Sequence, residues 1–206
     1  MSNFKIGICL LTYNCVNELK DCLESVDKFY PVIVIDGKWK DFPDNHPTSI
    51  DGTLELAESY SNVVTILSPN GTEVDNRNLS CEYAGKYDCD VVIILDSDER
   101  LDLPNGLDNF YQSLERMIIQ NPQDIGFKTA FESKKRGGVS FPCRIYLNPK
   151  HIRYRDKHNK IYYKNKEMRY FSSKLCPNII IHEDQTHRTE GRLQNMSRRN
   201  IVNPEH

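Results

Sequence analysis

Val91-Val92-Ile93-Ile94-Leu95-Asp96-Ser97-Asp98-Glu99-Arg100 sets the reading of the whole chain. Five apolar, mostly β-branched residues without a polar break predict a strand buried on both faces, as in the middle of a parallel sheet. The run stops at three acids within four residues. Ligands of open α/β sheets bind at the carboxyl ends of strands, so Asp96 and Asp98 stand where a site is expected. Two carboxylates one residue apart can approach one hard cation, and such a cation can hold a diphosphate. An Asp-x-Asp also fits a strand-end turn with solvated acids, so the flanking pattern has to decide between the two.

On the amino-terminal side the pattern alternates. Residues 4–11 predict a first strand that ends at Thr12-Tyr13-Asn14, and 16–28 a helix with Leu19, Cys22, Leu23 and Val26 on one face. Residues 32–35 are a second buried strand, ending at Asp36-Gly37. Residues 38–50 hold Pro, Lys, Asp and Trp without periodicity and read as a loop. Asp51-Gly52-Thr53 opens a helix, 63–67 is a third strand, 68–72 a turn-rich loop, and 74–86 a helix with Arg77 and Asn78 in its first turns. Strand–helix alternation of this kind implies right-handed crossovers and a mostly parallel sheet with helices on both faces.

The carboxyl-terminal side differs. Residues 107–120 predict a helix and 125–132 a strand, followed by the basic turn Lys134-Lys135-Arg136-Gly137-Gly138. Residues 139–147 and 152–163 read as two further strands, antiparallel in pattern, and 178–181 as a short strand before His182-Glu183-Asp184. The tail, 186–202, has a basic helical pattern with Arg188, Arg192, Arg198 and Arg199. The fold expected is a single α/β domain over residues 1–206, Rossmann-type, with a small antiparallel portion in its second half.

Composition narrows the function. The chain has 206 residues, enough for one sizeable core, and a formal net charge of -2, which gives no global case for nucleic-acid binding. No apolar run approaches the roughly 20 residues of a membrane span. The apolar stretch from Ile6 lacks a small-residue cleavage site and reads as the first strand, not a signal peptide. Seven cysteines without C-x-x-C spacing argue against a zinc ribbon and for small core residues. Reduced cysteines in such a chain suggest the cytoplasm.

Four motifs in order carry a resemblance: Thr12-Tyr13-Asn14 at the end of the first strand, Asp36 followed by Asp51-Gly52-Thr53, Arg77-Asn78 with Ala84 in the next helix, and Asp96-Ser97-Asp98. Over residues 4–100 this ordered set resembles the family 2 glycosyltransferases, inverting enzymes of GT-A fold. Arg144, His158 and His182 resemble more loosely the branch acting on lipopolysaccharide cores; where that branch has Val-His-Glu, this chain has Lys157-His158-Asn159. The 38–50 segment also departs from the family, in which the strand-end acid and Asp-Gly-Thr lie only a few residues apart.

The resemblance implies attack of a glycan or glycolipid hydroxyl on the anomeric carbon of a nucleotide sugar, with a nucleoside diphosphate leaving. It implies Mn²⁺ or Mg²⁺ on Asp98 and Asp96, with His182 as a late ligand. Thr12, Tyr13, Asn14, Asp36, Arg77, Asp96, Ser97 and Arg188 would face the nucleotide, with Asp36 accepting from a base N–H, which favours UDP. Residues 1–100 would form the nucleotide-binding half and 101–206 the acceptor-binding half. An inverting transfer needs one general base, for which Asp156, His158 and Asp184 are the candidates, with Glu183 and Glu132 behind them. The basic tail would suit peripheral contact with a membrane. The length leaves open that this is one catalytic unit of a longer protein. Two other readings remain: a nucleotidyltransferase, which would usually carry a Gly-rich loop where residues 12–16 have no Gly, and a non-catalytic binding module, which would have no need of Asp36, Asp96 and Asp98 together.

Overall fold

The computed structural model describes residues 4–39, 45–69, 71–133, 137–155, 160–164, 166–167 and 174–183. The first half is the alternating unit expected: β1 (Ile6–Thr12), α1 (Val16–Ser25), β2 (Val32–Asp36), α2 (Thr53–Glu58), β3 (Val63–Leu67), α3 (Glu73–Lys86) and β4 (Val91–Asp96). β1 pairs in parallel with both β2 and β4, and β3 pairs in parallel with β2 at the edge. Thr12 lies opposite Asp36 and Leu11 opposite Asp96, so the three strands bring their terminal polar residues to one level.

Then come β5 (Glu99–Asp102), α4 (Leu107–Gln120), β6 (Gly126–Ser133), β7 (Gly138–Ser140), β8 (Cys143–Leu147), β9 (Ile152–Arg155), β10 (Lys160–Tyr163), β11 (Lys166–Glu167) and β12 (Leu175–Glu183). The main sheet has nine strands in the order β3-β2-β1-β4-β8-β6-β12-β5, with β7 on β6. β8 runs antiparallel to both β4 and β6, and β12 runs parallel to β6. β4, β6 and β12 therefore point the same way, and their carboxyl ends share one edge with those of β1 and β2.

Both faces are covered. Ile8, Leu10, Val34, Ile93 and Leu95 pack with Leu19 and Leu23 of α1, Ala57 of α2, and Phe110 and Leu114 of α4. The alternate residues Cys9, Leu11, Ile33, Ile35, Val92 and Ile94 pack with Cys81 and Ala84 of α3 and with Ile152, Tyr154 and Ile161 of β9 and β10. α3 starts on a capping box in which the Thr72 hydroxyl accepts from the Asp75 N–H and the Asp75 carboxylate accepts from the Thr72 N–H. All seven cysteines are free, six of them buried. Among the described residues, no helix is long and apolar enough to cross a membrane.

Four expectations need correction. Residues 139–147 are two strands, β7 and β8, because Pro142 between them has no N–H to give a ladder. Residues 152–163 fold back into the antiparallel pair β9–β10, which joins β11 in a separate three-stranded sheet. β5 was not expected at all; it forms by antiparallel pairing with β12, and β12 is longer than the 178–181 segment foreseen. The main sheet is thus mixed rather than mostly parallel with a small antiparallel portion. The expected helix over 186–202 lies outside the described residues.

Candidate active site

Asp96 is the last residue of β4, and its carboxylate is 40% exposed. Arg77 of α3, itself buried, donates from Nη2 to Asp96 Oδ1 at 2.9 Å and holds Glu73 Oε1 at 3.2 Å. Burial works against the Arg77 charge, but Asp96, Tyr154 and Glu73 outweigh it and raise its pKa. Arg144 of β8 donates to Glu99 Oε1 at 2.5 Å and comes within 3.8 Å of Asp96 Oδ2. Glu99 is 3% exposed, and its other oxygen accepts the Asp96 N–H at 2.9 Å. Burial first, then the Asp96 charge, push Glu99 up to about 8 against the opposing pull of Arg144. Ser97 is buried and Asp98 only 7% exposed. The turn is therefore not a set of solvated acids. It is a partly buried cluster of three carboxyls, two of them held by arginines from other elements.

Asp36 closes β2 and is 0% exposed. Its Oδ1 accepts the hydroxyls of Thr12, at 3.1 Å, and Ser49, at 2.5 Å; its Oδ2 accepts the Ser49 N–H at 2.9 Å. Tyr13 and Asn14 are engaged with the same returning segment. Tyr13 donates its hydroxyl to the His46 carbonyl at 2.8 Å, and Asn14 Oδ1 accepts the Ile50 N–H at 2.9 Å. Next to Asp36, Gly37 is required by close approach, since a Cβ there would stand 2.2 Å from the Ser68 carbonyl oxygen. In this arrangement Asp36 meets protein donors and is closed to solvent.

Asn78 acts as a bracket between layers. Its amide donates to the Tyr154 carbonyl at 3.0 Å and accepts the Tyr154 N–H at 2.7 Å, which ties β9 to α3 one residue after Arg77. His182 lies 3.2 Å from Glu132 and 3.6 Å from Asp102, between carboxylates of the neighbouring strands. By strand alternation it points away from the side of its neighbour Glu183, which sits opposite Glu99 in the β12–β5 ladder and accepts from the Ser133 hydroxyl. Contact with a metal at Asp98 would have to compete with both carboxylates. Asp156, His158, Asp184 and Arg188 lie outside the described residues.

The structure thus gathers Thr12, Asp36, Asp96, Ser97, Asp98 and Arg77 along one edge and turns His182 toward other partners. Glu99 was counted among the acids of the turn but given no role, and Ser49 was not singled out at all. Glu99 closes the triplet of acids, and Ser49 stands two residues before Asp51-Gly52-Thr53; neither spacing by itself names a partner.

Among the described residues, no group of three His, Cys, Asp or Glu side chains is placed to hold a metal ion. Asp96 and Asp98 supply oxygen donors, the type that Mg²⁺ and Mn²⁺ take. An ion with one or two protein carboxylates completes its shell from water and phosphate, so this donor set fits one that arrives with a diphosphate.

No protein-family model matches the chain, and no curated protein sequence matches it. Among solved structures, S. aureus TarS is similar at 16% identity and a TM-score of 0.57, over 97% of this chain and 40% of that one. TarS 1–349 gives 16% identity and a TM-score of 0.54 over 74% and 51%. The chain thus spans about half or less of the length of these relatives. The mannosyltransferase PcManGT from Pyrobaculum calidifontis, in complex with GDP-Man and Mn²⁺, is a weaker match at 15% identity and a TM-score of 0.45, over 66% and 37%. At these identities the likeness to TarS is one of fold alone: an α/β fold with a mixed sheet.

Proposed function

We propose that this chain is the catalytic unit of a metal-dependent, inverting glycosyltransferase of GT-A fold, which moves a sugar from a nucleoside diphosphate sugar to a hydroxyl of a glycan or glycolipid. The observation that carries the reading is the Asp96-Ser97-Asp98 turn at the end of the central parallel strand, braced by Arg77 and Arg144. A solvated turn has no need of one buried and one half-buried guanidinium. The bracing fixes the Asp96 carboxylate before any ligand arrives, the preorganisation that charge stabilisation in a transition state requires. A bound Mn²⁺ or Mg²⁺ would supply positive charge to the departing diphosphate, held by Asp98 and Asp96. Residues 1–100 form the nucleotide half of this reading and 101–206 the acceptor half. The acceptor proton goes to a base among Asp156, His158 and Asp184, and Arg188 meets the diphosphate.

The test is release of nucleoside diphosphate from a panel of sugar nucleotides, with Mn²⁺ and hydroxyl acceptors. Release that stops in EDTA supports the reading. Pyrophosphate formed from a nucleoside triphosphate and a sugar phosphate would favour the nucleotidyltransferase instead, and binding without turnover the non-catalytic module.

A further inference from the structure

We infer that Asp36 is a positioning residue that clamps the returning end of the 38–50 segment onto the ends of β1 and β2, and that base selectivity does not come from its carboxylate. The ligand in this inference rests on the nucleotide-sugar reading above; the clamp does not.

A carboxylate that reads a base needs an acceptor site facing the pocket. Two carboxylate oxygens offer about four lone-pair sites. Here three are taken by Thr12 and Ser49, and the whole residue is closed to solvent. A base N–H would have to displace Ser49. That displacement would propagate, because the Ser49 hydroxyl also accepts the Asn14 N–H at 2.8 Å. The adjoining bonds Ile50 N–H to Asn14, Tyr13 hydroxyl to His46 and Lys38 N–H to Pro47 belong to the same seam. Two residues on, Asp51 accepts the Val16 N–H at 3.1 Å and Thr53 accepts the Cys15 N–H at 2.9 Å, so the seam runs on into the start of α1. Asp36 stands at its buried end. Its two bonds to Ser49 fix the segment that forms the wall beside the first strand end, and Thr12-Tyr13-Asn14 is spent on the same task. The described returning part of this segment, residues 45–50, is then part of the site, and the acid at the end of β2 is the anchor it returns to.

The experiment compares Asp36→Asn, Ser49→Ala, the double variant and Ser49→Thr by calorimetric titration with UDP, GDP and ADP in Mn²⁺, and by hydrogen exchange without nucleotide. Asp36→Asn and Ser49→Ala are each expected to weaken all three diphosphates by one common factor of about tenfold, the loss of a hydrogen-bonded contact to a charged group. The double variant loses no more than Asp36→Asn alone, and Ser49→Thr, which keeps the hydroxyl, recovers most of the Ser49→Ala loss. The Ser49 and Ile50 amides exchange faster in Asp36→Asn. A UDP affinity that falls about tenfold against GDP in Asp36→Asn alone makes Asp36 the base reader and overturns the inference. So do unchanged affinities with a lowered melting temperature, which would make it a packing residue only. If the wild type binds none of the three, the donor reading fails; the clamp is then judged by exchange, and protection at Ser49 that ignores Asp36→Asn refutes it. Should Asp36→Asn fail to fold, Ser49→Ala against Ser49→Thr carries the same comparison.

Discussion

Glu99→Gln asks whether the carboxyl beneath the acidic turn holds a proton at neutral pH. Burial, and after it the Asp96 charge, lift Glu99 to about 8 although Arg144 pulls the other way. In the unfolded chain a Glu titrates near about 4.3. Between these values the folded chain keeps a proton that the unfolded chain has released. The stability this group contributes is therefore complete below the unfolded value and is lost as the pH rises through the folded one. One proton corresponds to about 1.4 kcal/mol per pH unit, so the part of the window between pH 6 and 8 accounts for about 2–3 kcal/mol. For a chain of this size 1 kcal/mol moves the melting temperature by about 2–4 °C. With EDTA present, wild-type melting should fall by about 5–10 °C more than that of Glu99→Gln between pH 6 and 8.5. Parallel melting curves for the two proteins across that range would mean that Arg144 holds Glu99 ionised throughout and that no proton is kept on folding.

Asp98→Asn keeps size and removes charge; sugar transfer should drop by about two orders of magnitude or more, at about 1.4 kcal/mol per tenfold, while circular dichroism stays unchanged. Thermal melts of the wild type should show a larger gain from Mn²⁺ and UDP together than from either alone, and Asp98→Asn should lose most of it; equal gains in both would remove Asp98 from the ion. Asn78→Ala leaves the Tyr154 N–H and carbonyl without their partner, which should lower stability by about 2–3 kcal/mol in denaturant titration and expose the 150–167 region to protease first. Arg77→Met leaves Asp96 and Glu73 without their shared cation. It should lower the unfolding free energy read from denaturant titration by about 1–3 kcal/mol, a range reduced from that of a fully buried pair because Asp96 is partly exposed.

The first hundred residues were legible because their strands are buried on both faces. Val32–Asp36 and Val91–Asp96 lie between two layers, so their apolar runs have no polar interruptions and their ends are marked by the first acid. α4 was legible for the complementary reason, a single apolar stripe of Phe110 and Leu114 facing the core. Glu99–Asp102 has neither signal. Its sequence, Glu-Arg-Leu-Asp, is mostly charged, and it is a strand because β12, some eighty residues later, supplies the ladder. The same dependence hid the break at Pro142 in effect though not in sequence: β7 and β8 pair with different lengths of β6, and only that pairing shows which residues leave the ladder.

The site divides along the same line. Asp96 and Asp98 were legible because position at a strand end is local information. What surrounds them is not. Arg77 reaches Asp96 from nineteen residues away and Arg144 reaches Glu99 from forty-five, and nothing local to either arginine names its carboxylate. The sequence showed Asp36 as an acid at a strand end, the same local sign as Asp96, yet the two have opposite fates. Asp96 meets long cationic side chains and stays 40% exposed; Asp36 meets short hydroxyls and an amide, and is sealed. The difference lies in what returns to each strand end. At β4 the chain turns directly into β5 and leaves the carboxylate open on one side. At β2 it leaves through the 38–50 segment and comes back at Ser49, and a buried carboxylate is tolerable there because that return delivers an N–H and a hydroxyl together. Two identical strand-end signals therefore separate into an open acid and a closed one, and the length of the loop that follows each is the sequence feature that distinguishes them.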